Sequence, residues 1–74
     1  MTREEKIKWL QEVGDKELLD QFRTTERNAA DPFRYMDILG ISVEEILENA
    51  RLVREEIQRR MTAGRENDSR VWAE

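Results

Sequence analysis

The chain is 74 residues long, 41% charged, carries a net charge of -4, and contains neither histidine nor cysteine. That length allows one domain with a modest core. The missing residue types remove the commonest general base, the commonest nucleophile–base pairs, disulfides and thiolate metal sites, and the acid excess argues against a general nucleic-acid binder.

Three glycines and one proline punctuate the chain, a composition that favours long helices with solvated faces. Thr2-Arg3-Glu4-Glu5 is a capping box: the Thr2 hydroxyl can accept the Glu5 amide, and the Glu5 carboxylate can reach back. It predicts a helix to about Val13. Ile7, Trp9, Leu10 and Val13 fall on one side, and Glu4, Lys8, Gln11 and Glu12 on the other. Trp9 sits at the edge of the apolar face. Gly14 is expected to stop this helix in a left-handed conformation.

Asp15 is expected to cap a second helix that ends near Ala30. Leu18, Leu19, Phe22 and Ala29 share one face, and Lys16, Asp20, Arg23 and Arg27 the opposite one. Asp31-Pro32 is a start signal, because Asp caps well and Pro suits the first helical position. A short helix is predicted from Pro32 to Leu39, closed by Gly40. Phe33, Tyr35, Met36, Ile38 and Leu39 make it apolar almost all round, so it needs cover from other helices or from a partner.

Ser42 and Glu45 form a second capping box, and Ile41 is placed to staple onto Ile46. A long helix is predicted from Val43 to about Thr62, roughly 30 Å. Val43, Ile46, Ala50, Val53, Ile57 and Met61 line one stripe with the spacing of a coiled-coil seam. Glu55 and Arg59, and Glu56 and Arg60, are pairs four residues apart. Gly64 is expected to end the helix, leaving residues 65–74, with Val71 and Trp72, as a flexible tail. The expected fold is all-α: a small bundle of three to four helices over residues 1–64, with one long C-terminal helix.

No apolar run approaches the ~20 residues that a membrane span needs. Met1 to Glu5 is charged with no apolar segment behind it, so no secretory leader is expected. A cytoplasmic protein without membrane contact is the expectation.

Enzyme chemistry is not expected. Glu44, Glu48, Glu55 and Glu56 are read as outward-facing and have no histidine with which to build an inward carboxylate metal site. The three glycines are isolated, so no phosphate-binding loop forms. Neither a metal nor a cofactor is implied.

Binding is the remaining class. The partner-binding candidates are Phe33, Arg34, Tyr35 and Met36, since aromatic residues, Met and Arg are enriched at interfaces. Leu52 joins them because the wheel sets it among Glu45, Glu48, Glu56 and Arg59, away from the seam. Val53, Ile57 and Met61 are candidates for self-association into a homodimer if the long helix outruns its neighbours. The plain alternative for both sets is ordinary core, and for Leu52 a single exposed leucine. Arg23, Arg27 and Arg34 could cluster, but interleaved acids weaken any nucleic-acid surface.

Thr2-Arg-Glu-Glu-Lys-Ile-Lys-Trp-Leu10 and Asp15-Lys-Glu-Leu-Leu-Asp20 resemble the opening of small uncharacterised helical accessory proteins of phages and prophages of Gram-positive bacteria. The stretch from Val43-Glu-Glu-Ile-Leu47 through Glu55-Glu-Ile-Gln-Arg-Arg60 is similar to their closing helix. The resemblance implies a protein that acts in the host cytoplasm, binding a host protein and modulating or inhibiting it, with defence enzymes among the targets. The central segment Asp31–Ile41 lies outside it. The reading from sequence is therefore a non-enzymatic protein–protein interaction module. The alternatives are a small dimeric nucleic-acid-binding or regulatory protein, and a structural or assembly component.

Overall fold

A computed structural model describes the backbone of residues 2–73 and the side chains of residues 2–63. Four helices follow in chain order: α1 (Arg3–Glu12), α2 (Asp15–Ala30), α3 (Pro32–Leu39) and α4 (Val43–Ala73). The all-α bundle with a long last helix is the observed fold.

The hydroxyl half of each capping box forms. Thr2 Oγ1 accepts the Glu5 amide at 3.2 Å, and Ser42 Oγ accepts the Glu45 amide at 3.1 Å. The Glu45 carboxylate does not turn back to Ser42. It accepts from Lys6 Nζ of α1 at 2.9 Å, a tertiary contact that wins over the local one. Gly40 is left-handed, with φ 68°, and its amide donates to the Met36 carbonyl at 3.0 Å, ending α3 as expected.

Three local expectations are corrected. Gly14 is not left-handed: at φ -69° it is extended and serves as the N-cap of α2, with Asp15 already the first helical residue. The Asp15 carboxylate is used elsewhere, on Arg60 of α4. Gly64 does not end α4, whose backbone runs on to Ala73. A helix-interior glycine costs about 1 kcal/mol against alanine but breaks no hydrogen bond, so capable neighbours carry the helix through it. The side chains expected in the tail, residues 65–74, lie outside the described residues.

At 31 residues α4 is about 46 Å long and is the spine of the fold. Arg3 pairs with Glu48 and Lys6 with Glu45 at one end of α1, while Val13 meets Arg60 at the other, so α1 runs parallel to α4. Asp15 pairs with Arg60 and Glu26 with Arg54, so α2 runs antiparallel to it. The short α3 packs on the first turns of α4 and on α2. Both α1 and α2 pack mainly on α4.

This arrangement gives α4 two buried stripes instead of one seam. Ile46, Ala50 and Val53 form one, and Leu52 and Glu56 the other. Leu10, Leu18, Leu52 and Val53 make the central cluster, with Ile7, Val13, Phe22 and Ile57 packed against it. Each fully buried aliphatic side chain contributes about 1.5–3 kcal/mol. Leu52 is therefore core, only 4% exposed, and not the surface contact expected of it. The sequence reading gave α4 one apolar stripe, and α1 settles on the flank beside it.

Candidate functional site

The most exposed apolar surface is carried by α3. Proline at its start and left-handed Gly40 at its end confine it to 8 residues. None of them is buried, although five are large and apolar. Phe33 is 71% exposed and Ile38 65%. Tyr35 and Met36 are half-buried and anchor the helix from its inner side. The Tyr35 ring lies beneath two guanidinium groups: Arg27 of α2 at 5.5 Å and Arg34 at 5.9 Å. Such cation–π contacts contribute about 0.5–1 kcal/mol each at exposed sites. They hold α3 to α2 and set Arg34 on the exposed side.

The sequence candidates thus separate. Phe33 and Arg34 are exposed on α3, with Tyr35 and Met36 as their supports. Leu52 and Val53 are consumed by the core within one chain, so neither offers a contact surface. Ile57 packs on the edge of that core. Met61 is 55% exposed. With Leu18, Leu19 and Ile57 it lines an open apolar depression of about 270 Å³, beside the Asp15–Arg60 ion pair.

Two features escape the sequence reading. The first is a buried ionic knot. Glu56 is 6% exposed, not outward-facing, and its carboxylate takes Arg59 Nε at 2.8 Å and Arg60 Nε at 3.3 Å. Arg59 was expected to pair with Glu55, which pairs instead with Arg51 at 3.4 Å. The hydrogen bond from Arg59 leads the effects on Glu56, and Arg60 adds to it. Together they outweigh burial and hold its carboxyl below the ordinary carboxylate value. Glu26 is likewise lowered, chiefly by its hydrogen bond from Arg54. Both carboxylates are therefore held ionised, the opposite of the raised value that a general acid needs at neutral pH.

The second feature is a groove of about 180 Å³ between α1 and α2, floored by α4. No sequence signal pointed to it, because its lining comes from three helices brought together only in the fold. Asn28 also went unremarked. It is 9% exposed, and its side-chain Oδ1 has no hydrogen-bond partner within the described residues.

Among the described residues no three carboxylates converge as a metal site would require, and no helix is long and apolar enough to cross a membrane. The described surface offers exposed aromatic and aliphatic groups, guanidinium donors and apolar depressions. No protein-family model matches the chain, and no curated protein or solved structure shows significant similarity to it.

Proposed function

We propose that this chain is a non-enzymatic protein-binding module that engages its partner through the outer side of α3. The observation that carries this reading is a helix with five large apolar residues and none buried, with Phe33 71% exposed. Leaving Phe33 in water forgoes about 1.5–3 kcal/mol that a partner's pocket would return. An aromatic anchor beside an arginine is the usual core of an interface hot spot. Arg34 then supplies the polar contact, and the half-buried Tyr35 and Met36 keep the surface rigid. The resemblance of the first and last helices to phage and prophage accessory proteins supports a setting in the host cytoplasm and a host protein as the partner, modulated or inhibited on binding.

The test is a tagged pull-down from a lysate of the host, with the unmodified chain and with Phe33→Glu, each with and without nuclease. One protein recovered stoichiometrically by the unmodified chain, indifferent to nuclease and lost with Phe33→Glu, supports the reading. Equal recovery by both chains removes α3 from the interface. Recovery that disappears with nuclease replaces the reading with the nucleic-acid-binding one.

A homodimer is the second reading. Leu19 and Met61 favour it, being 52% and 55% exposed around one apolar depression. Sedimentation equilibrium of the chain and of Met61→Glu distinguishes a dimer that dissociates on substitution from a monomer.

A further inference from the structure

We infer that the part of α4 beyond the bundle pairs antiparallel with α4 of a second copy, and that Trp72 of each copy enters the apolar depression of the other. The inference rests on the homodimer reading and names what fills that depression.

The length of α4 sets the geometry. Val13 and Asp15, at the turn between α1 and α2, both meet Arg60. Neither α1 nor α2 therefore reaches past that level, while the backbone of α4 continues to Ala73, about 20 Å farther. The chain is elongated as a result. Its radius of gyration is 14.9 Å, against about 11 Å for a compact chain of this length. Helices in proteins are stabilised mostly by packing along one face, and no other described helix accompanies this length of α4. Because α4 is continuous, its end cannot fold back onto the depression of its own chain. A second copy can reach it.

The residue pattern names that copy as the partner. Met61, Arg65, Asp68 and Trp72 follow at intervals of four, three and four residues, which sets these positions on one stripe of α4. Met61 lines the depression, so the stripe begins there. Read in the opposite direction, the stripe is its own complement. With two copies antiparallel and Trp72 against Met61, Arg65 of each stands opposite Asp68 of the other. Two-fold symmetry repeats both pairs, the isologous arrangement of a closed dimer. A parallel pair in register would instead set Arg65 against Arg65 and Asp68 against Asp68.

The depression suits the side chain that this register delivers. Its volume of about 270 Å³ equals roughly nine waters at ~30 Å³ each, the space of one large aromatic group. Leu18, Leu19, Ile57 and Met61 make its lining apolar, and a methionine sulfur packs well against an aromatic ring. A buried indole N–H needs an acceptor. Asp15, on the rim, gives Oδ1 to Arg60 at 2.7 Å and has its second oxygen for that role.

Sedimentation equilibrium of the full chain measures the dimer constant, with circular dichroism to check that each variant keeps its helices. The expected result is a dimer that Arg65→Asp and Asp68→Arg each weaken at least about tenfold, since each sets two like-charged pairs across the axis. Combining the two exchanges the charges and should restore the constant to within about threefold. Trp72→Ala should weaken the dimer by a factor similar to that of a single charge change. All three positions lie past the bundle, so the substitutions leave its core intact. Dimerisation that survives Trp72→Ala and both single charge changes overturns the inference, as does loss without rescue by the double variant. If Met61→Glu still dissociates such a dimer, the homodimer reading stands through another register. A monomer at millimolar concentration overturns both.

Discussion

Arg60 Nη2 lies 2.7 Å from the carbonyl oxygen of Val13, a residue 47 positions earlier in the chain. The same nitrogen donates to the Leu10 carbonyl at 2.9 Å, and Nη1 reaches Asp15 at 2.7 Å. One side chain therefore satisfies carbonyls that the end of α1 leaves without intrahelical partners. It also ties the start of α2 to the spine and shares Glu56 with Arg59.

Replacing Arg60 by alanine should unfold the chain more easily than any other single surface-charge change. Two part-buried carbonyls and Glu56 lose a donor at once, a cost of about 2 kcal/mol. For a chain of this size that is a fall in Tm of about 10 °C, read by thermal circular dichroism. Arg60→Lys should recover only part of it, since a single ammonium cannot span the four groups that the guanidinium reaches. A fall under 2 °C would mean that water replaces the guanidinium without loss.

Burial separates two residues that the sequence reading grouped together. Leu52→Ala should cost about 2–5 kcal/mol, because it opens a cavity among Leu10, Leu18 and Val53. Phe33→Ala should change stability by less than about 0.5 kcal/mol, because the ring is already in water. Urea unfolding midpoints of the two variants measure the difference, and similar costs would return Phe33 to the core.

Glu56 gives the fold an acid-sensitive component. Its carboxyl is more acidic folded than unfolded, so the stability it contributes is complete above the unfolded value of about 4.3. That contribution is lost as pH falls through the lower, folded value. Unfolding free energies of the unmodified chain and of Glu56→Gln should differ at pH 7 and converge toward pH 3. A gap that stays constant over that range would show that the carboxylate charge contributes nothing.

The two interhelical glycines, Gly14 and Gly40, should respond differently to alanine. A Cβ at either Gly14 or Gly40 meets nothing within 4 Å, so only the backbone decides. Gly40→Ala forces a side chain into φ 68° and should cost about 1–2 kcal/mol. Gly14→Ala keeps an ordinary φ of -69° and should change stability by less than about 0.5 kcal/mol, because the entropy gained in the unfolded chain offsets alanine's weaker N-capping. Equal losses at both positions would contradict the assigned conformations.

What the sequence determined by itself is local. The hydroxyls of Thr2 and Ser42, Pro32 at a helix start and Gly40 at a helix end act within one turn, so their residue types place helix boundaries without knowledge of the rest. The 3.6-residue spacing of Ile46, Ala50 and Val53 marks a buried stripe for the same reason. The sequence also named the third helix as one in want of cover. Only the tertiary structure decided how many faces of α4 are used. Once α1 lies parallel to α4 on its second flank, Leu52 turns from a surface residue into core and Glu56 from a solvated charge into a buried one. Asp15 and Glu45 likewise leave their local capping roles for Arg60 and Lys6, because a partner 45 or 39 residues away offers a full opposite charge at hydrogen-bond distance. The groove between α1 and α2 belongs wholly to this level, since its lining comes from three helices and not from the pattern along any one of them.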